Sequence, residues 1–400
     1  MGIISNKITQ LKESATLAMT KKSRELKAAG KDIINLSIGE PDFDTPEFIK
    51  DAAIKAINEN RTHYTPVPGY MDLREAAANK FNRDNGLNFS ASQIVVSTGA
   101  KQSISNVFFS ILNPGEEVII PTPYWVSYSD MVQLAEGKPV FIETEIANDF
   151  KVTAKEIEAA ITPKTKAIIF SSPCNPTGTV YSVAELKAMA EVLSQHPELI
   201  IISDEIYEHI NFDSKHQSIA QFEEIKDQVV VINGVSKGFA MTGWRIGLMA
   251  APQAIANACI KLQGQTTSGT NSIAQRAAIT ALDANPKENK EIIDMVSAFH
   301  KRRDLFISLL NDIPGFKTNI PQGAFYLFPN VESFFGKTDG ETSIKTATDL
   351  VMYILKEANV ALVSGEAFGD PNCIRFSYAT SNENLHLAAQ RIKAACSKLS

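Results

Sequence analysis

The sequence is poor in cysteine, in long apolar runs, in net positive charge and in paired histidines, and each shortage excludes a class of protein. Its four cysteines, Cys174, Cys259, Cys373 and Cys396, fall into no zinc-ligand or CxxC spacing. They read as reduced thiols in a reducing compartment. No apolar run approaches the ~20 residues of a membrane-spanning helix. The opening Met1-Gly2-Ile3-Ile4-Ser5-Asn6 lacks the basic-then-apolar layout of a secretory signal. Asn6 also stands where N-myristoylation after Gly2 wants Ser or Thr. The expectation is a cytoplasmic chain with no membrane partner. Lys and Arg number 39 against 45 Asp and Glu, a net charge of −6, so no basic stripe is offered to nucleic acid. The six histidines form neither HExxH nor an i,i+4 pair, and no metal is assigned.

What is present suits a packed globular chain: 44% hydrophobic and 21% charged residues. At 400 residues it exceeds the roughly 250 to 300 that one core serves, so two lobes are expected. Between about residues 90 and 250, β-branched runs at 93–97, 117–121, 139–143, 166–170, 199–203 and 228–233 read as strands buried on both faces of a parallel sheet. Helical patterns at 101–112, 126–135 and 183–194 lie between them. This is an α/β pattern: a mostly parallel sheet flanked by helices. Beyond about residue 285 a charged helix through 288–310 precedes short strands near 323–328, 360–363 and 373–377 and a helix at 344–357. That texture predicts a smaller α+β domain, with the long helix joining the two lobes.

The stretch from Gly234 to Gly247 follows a predicted strand directly and admits two chemistries. Gly234-x-Ser236-x-Gly238 fits the nucleophile elbow of a serine hydrolase, with His300 or His386 available as base. Lys237 offers another account. A desolvated lysine amine beside other cations is nucleophilic toward an aldehyde, and Arg245, eight residues on, can grip a phosphate bidentately. A lysine for an aldehyde and an arginine for a phosphate describe pyridoxal 5'-phosphate.

Six segments then appear in one order: Asn35-Leu-Ser-Ile-Gly-Glu-Pro-Asp-Phe, Tyr64-Thr-Pro-Val-Pro-Gly, Ser172-Pro-Cys-Asn-Pro-Thr-Gly, Ser203-Asp-Glu-Ile-Tyr, the Lys237 stretch, and Ile374-Arg-Phe-Ser-Tyr. Together they resemble the fold type I, class I pyridoxal-phosphate-dependent aminotransferases, nearest to the bacterial aspartate aminotransferases that include prephenate-active members. The resemblance implies a large cofactor-binding domain at 46–285 and a small domain built from 1–45 and 286–400. It implies a homodimer with shared active sites, acting on small amino and keto acids by a ping-pong aldimine/ketimine mechanism. Lys237 would carry the cofactor, Asp204 would pair with its ring nitrogen, and Tyr207 and Asn175 would meet its ring oxygen. Gly99, Ala100, Lys101, Ser236 and Arg245 would surround the phosphate, Trp125 would stack on the ring, and Tyr64 would reach the neighbouring subunit's phosphate. A lone Asp after a strand is ordinarily a cap, Asn-Pro ordinarily a turn, and Trp ordinarily packing. Only the joint pattern lifts them.

For the substrate, the same resemblance places Arg375 at the α-carboxylate, with Gly39, Asn175 and Trp125 around it. A dicarboxylic substrate needs a second cation. Gln265-Thr-Thr-Ser-Gly-Thr-Asn holds no arginine, so Lys101, with Thr16 and Ser14, is the candidate. A lysine in a helix's first turn opposes the positive helix end, which a bound anion would offset. L-aspartate with 2-oxoglutarate is the expected pair. Prephenate or aromatic amino transfer, or a C–S lyase on the same cofactor, are the alternatives.

Overall fold

The computed structural model describes residues 3–11, 13–212 and 215–400; Met1 and Gly2, where the N-terminal signal reading began, lie outside them. Its strands, in chain order, are β1 (Ile34–Asn35), β2 (Ile94–Ser97), β3 (Glu117–Pro121), β4 (Lys138–Ile142), β5 (Thr165–Ser171), β6 (Ile200–Asp204), β7 (Val229–Gly234), β8 (Gly247–Ala250), β9 (Tyr326–Leu327), β10 (Val360–Ala361), β11 (Val363–Ser364) and β12 (Ile374–Ser377). Seven of them form one sheet in the order β2-β8-β7-β6-β5-β3-β4. All its pairings are parallel except those of β8, which runs antiparallel to both β2 and β7.

The period-2 geometry of these strands builds a core on each face. Val96, Ile119, Ile168, Ile201 and Val231 pack on one side, while Val95, Val118, Ile120, Ile169, Ile202 and Val230 pack on the other. Helices cover both faces. Helix Val183–Leu193 starts at a capping box in which Ser182 and Glu185 each bond the other's backbone N–H. Three sequence expectations need correction. The strand at 93–97 does not join the sheet in parallel: β2 is an edge strand and pairs antiparallel with β8. The strand near 139–143 is not buried on both faces: β4 is an edge strand, and Phe141 is 46% exposed. The antiparallel β8 had no counterpart in the reading, because Gly-Leu-Met-Ala carries no β-branched residue.

A separate core holds Phe299, Phe306, Phe325, Phe376 and Leu385. Helix Lys290–Asn311 links the two: Ile292 belongs to the sheet core, whereas Phe299, Phe306 and Leu310 belong to the second. At 22 residues it extends about 33 Å. The chain's beginning returns to its end, since β1 pairs in parallel with β10 through Ile34 and Val360. Among the described residues, no helix is long and apolar enough to cross a membrane.

Candidate active site

The parallel strands converge at their C-terminal ends, where open α/β sheets bind ligands. There a cleft of about 410 Å³ opens between the two cores. Thr16, Gly39, Ala100, Lys101, Trp125, Asn175, Asp204, Tyr207, Ser236, Lys237, Arg245 and Arg375 all line it. Of the remaining expected residues, Ser14 stands one layer out, its hydroxyl 2.9 Å from that of Thr16. Gly99 lies directly beneath Arg245: a Cβ built there would sit 2.1 Å from the guanidinium. Tyr64 is away from the cleft and fully exposed.

Asp204 is the last residue of β6, 5% exposed. Its Oδ2 accepts a hydrogen bond from the Tyr128 hydroxyl at 2.6 Å, and Oδ1 accepts from the Ile206 N–H at 3.3 Å. Burial still pushes its carboxyl up to about 6. Lys237 follows β7, and its Nζ donates to the Gly39 carbonyl at 2.5 Å. Burial leads in bringing this amine down to about 8; Glu40 and Asp204 resist the shift, and Arg375 and Arg245 add to it.

Helix Ala100–Ile111 points its N-terminus at the cleft, and the N–H groups of Ala100 and Lys101 have no acceptor among the described residues. Gly99 supplies the turn at φ +86°, in a conformation side chains rarely adopt. Gly247 permits the close approach, since a Cβ there would lie 2.3 Å from the Ala100 nitrogen. Arg245 holds a left-handed backbone at φ +59°, and its guanidinium donates to the Thr242 and Thr98 carbonyls. No carboxylate among the described residues pairs with it. First-turn N–H groups beside an unneutralised guanidinium make an anion site.

Arg375, on β12, is 1% exposed. Nη1 donates to Asn175 Oδ1 at 3.0 Å and Nη2 to the Ser37 carbonyl at 2.7 Å, while Nε has no partner. Its face lies against the rings of Tyr326 and Phe368. No carboxylate among the described residues neutralises it, so the ion-pair alternative for this residue fails. A buried guanidinium without an anion is costly unless a ligand supplies one. Lys101 stands exposed at the rim with Nζ 4.9 Å from the Trp125 ring centre; the cleft walls and then Arg245 lower its pKa, against Asp130.

The profile of the family described as aminotransferase class I and II matches residues 31–392. This chain belongs to that family. An aspartate aminotransferase of Geobacillus stearothermophilus is 48% identical over 97% of this chain and 98% of its own. An aspartate/prephenate aminotransferase of Cereibacter sphaeroides is 47% identical over the whole of both chains. The solved aspartate aminotransferase of Thermus thermophilus with maleate superposes with a TM-score of 0.93 at 38% identity, covering 99% of this chain and 100% of that one.

The aminotransferase cleft also contains residues that the sequence reading passed over. Tyr128 lies three residues after Trp125, its N–H donating to the Trp125 carbonyl at 3.0 Å. Tyr326 meets the Tyr207 hydroxyl at 2.8 Å, and a Cβ on Gly39 would touch its oxygen at 2.7 Å. Leu17, Ser171, Ile206 and Thr242 complete the walls. Among the described residues no histidine lines the cleft, so neither His300 nor His386 stands as the base for Ser236. Cys174 is buried, and burial raises its thiol's pKa. Behind β6, Glu205, Glu208 and His216 bring ligand-type atoms within 4.8 Å of one another. They are engaged already: Glu205 with Ser203, Ser218 and His216, and Glu208 with Asn85 and the buried Lys80.

Proposed function

We propose that this aminotransferase uses pyridoxal 5'-phosphate to move the amino group of L-aspartate to 2-oxoglutarate. The observation that carries the reading is the gathering of four cations, Lys101, Lys237, Arg245 and Arg375, around the single buried acid Asp204 in one cleft. Arg245 with the free N–H groups of Ala100 and Lys101 fits a phosphate, and the orphaned Nε of Arg375 fits a carboxylate.

When bound, the cofactor supplies an electron sink for charge developing at the substrate α-carbon. Arg245, Ser236 and the first helical turn after Gly99 would hold its phosphate. Asp204 would hold the proton of the ring nitrogen, Asn175 and Tyr207 would donate to the ring oxygen, and Trp125 would cover the ring. Asn175 is suited to this, since its oxygen is engaged by Arg375 while its own N–H groups donate to no described residue. Arg375 orients the substrate by its α-carboxylate. Lys237 Nζ then takes the proton from the substrate α-carbon and can return it, acting as base and acid from one position. A pKa near 8 equips it for both duties.

Lys101, with Thr16 and Ser14 behind it, would take the second carboxylate; the maleate in the Thermus thermophilus structure's name is also a dicarboxylate. Prephenate is a second reading, supported by the name of the Cereibacter sphaeroides relative. We also propose domains at 46–285 and at 1–45 with 286–400, which the pairing of β1 with β10 supports. A homodimer in the cytoplasm is in keeping with two features. Tyr64 is fully exposed, and the four cysteines are free. Transaminase assay of purified Lys237→Ala tests the core of the proposal: loss of aspartate-dependent glutamate formation is expected, and full activity would overturn it.

A further inference from the structure

Tyr128 is 1% exposed on helix Ser127–Leu134, and its hydroxyl meets Asp204 Oδ2 at 2.6 Å. The ring is fixed, edge-on to Trp125 at 5.5 Å and stacked with Tyr124 at 6.5 Å. A carboxylate can only accept, so the direction of this bond is settled when Asp204 is ionised: the phenol donates. Burial, with the neighbouring Asp204 charge, raises the phenol's own pKa well above 10, so it remains a donor.

Several other titratable groups face Asp204. Glu205 adjoins it on the chain, Cys174 follows β5, Tyr207 follows β6, and Lys237 follows β7. Burial raises the pKa of both Cys174 and Tyr207, which keeps them uncharged at neutral pH. Glu205 disfavours ionisation of Asp204, and Lys237 favours it. After burial, the largest influence on the carboxyl is the bond from Tyr128, and it favours the ionised form.

We infer that Tyr128 is a positioning residue whose hydroxyl keeps Asp204 ionised and fixed in the cleft, ready to hold the proton on the ring nitrogen of bound pyridoxal 5'-phosphate. The inference rests on the cofactor reading above. Burial already brings the Asp204 carboxyl up to about 6 with the bond in place. Without it the carboxyl rises further. A protonated carboxyl there no longer supplies the charge that retains the ring proton.

The test is a titration of the apoprotein with pyridoxal 5'-phosphate, followed by intrinsic fluorescence, in wild type, Tyr128→Phe, Asp204→Asn and the double variant. A hydrogen bond to a charged group is worth roughly tenfold or more in affinity. Tyr128→Phe should therefore bind about tenfold more weakly near pH 6.5, with the deficit shrinking toward about pH 9, where Asp204 ionises in either protein. In the Asp204→Asn background, loss of the hydroxyl should add less than about twofold. Unchanged affinity, or a deficit of the same size at every pH, overturns the role of Tyr128. Melting of each apoprotein identifies a folding defect separately. A wild type that fails to bind the cofactor at all overturns the cofactor reading instead.

Discussion

Arg375 and Asn175 lie 200 positions apart and meet at 3.0 Å, the guanidinium Nη1 donating to the amide oxygen. The contact joins β12, beside the second core, to the loop after β5 in the large sheet, so this end of the cleft is assembled from elements of both cores. It also explains how a guanidinium persists there at 1% exposure without an acid. Asn175 and the Ser37 carbonyl satisfy two of its donors, and Nε is left for a ligand.

Arg375→Lys should therefore fold yet bind poorly, because an ammonium cannot reproduce the planar fork. Breaking a buried, hydrogen-bonded charge contact costs about 2 to 5 kcal/mol, or roughly 30-fold or more in kcat/KM. The loss should appear with every amino acid, since all carry the α-carboxylate. Steady-state rates with aspartate and with an aromatic donor check this; a defect confined to aspartate would contradict it.

Lys237 makes a prediction about pH in the apoprotein. Its amine is lowered from 10.5 to about 8, so the neutral, reactive form appears as pH rises through about 8. Ordinary lysines remain protonated there. Labelling of apoprotein with trinitrobenzenesulfonate, followed by peptide mass mapping, should show Lys237 reaching half its maximal rate near pH 8. Exposed lysines should lag by about two pH units. A Lys237 profile centred near 10.5 would mean that burial and the two arginines do not act as described.

Much of this arrangement was legible in the sequence, for identifiable reasons. Strands β3, β5, β6 and β7 advertise themselves because central parallel strands are continuously β-branched, and the edge strand β2 does so because its Ile94-Val95-Val96 run is buried on both faces. The exposure of β4 and the insertion of β8 between β2 and β7 were not legible, since both depend on which strand neighbours which. Lys237, Arg245 and Asp204 stood out through local motifs. Tyr128 and Tyr326 did not, because each acquires its meaning from a partner 76 or 119 residues away. A buried tyrosine reads as core packing until that partner is in view.

Lys101 tests substrate choice. Its Nζ lies 4.9 Å from the Trp125 ring centre, in the cleft that the buried Arg375 also lines. Losing one charge-assisted contact costs about 1.5 to 3 kcal/mol. Lys101→Ala should thus lower kcat/KM for aspartate and oxaloacetate by roughly 10- to 100-fold, with donors lacking a second carboxylate little affected. Parallel assays on oxaloacetate and prephenate rank the two acceptors. Equal rates on dicarboxylates in both proteins would remove Lys101 from the site.

Gly99 offers the sharpest test of the phosphate cradle. A methyl group there would overlap the Arg245 guanidinium at 2.1 Å, and the backbone at φ +86° and ψ 159° is essentially reserved for glycine. The side chain of Arg245 is flexible and exposed, so it can swing aside and the fold can survive, at a strain of about 1 to 3 kcal/mol. The binding function has no such escape, because the displaced fork no longer faces the N–H groups of Ala100 and Lys101. Gly99→Ala should consequently lower affinity for pyridoxal 5'-phosphate by at least about tenfold. Affinity for unphosphorylated pyridoxal, which has no use for the cradle, should hardly change. Titrating both ligands into the same apoprotein separates the cases: an equal loss for the two would place the damage at Lys237 or the ring-facing residues, not at the phosphate.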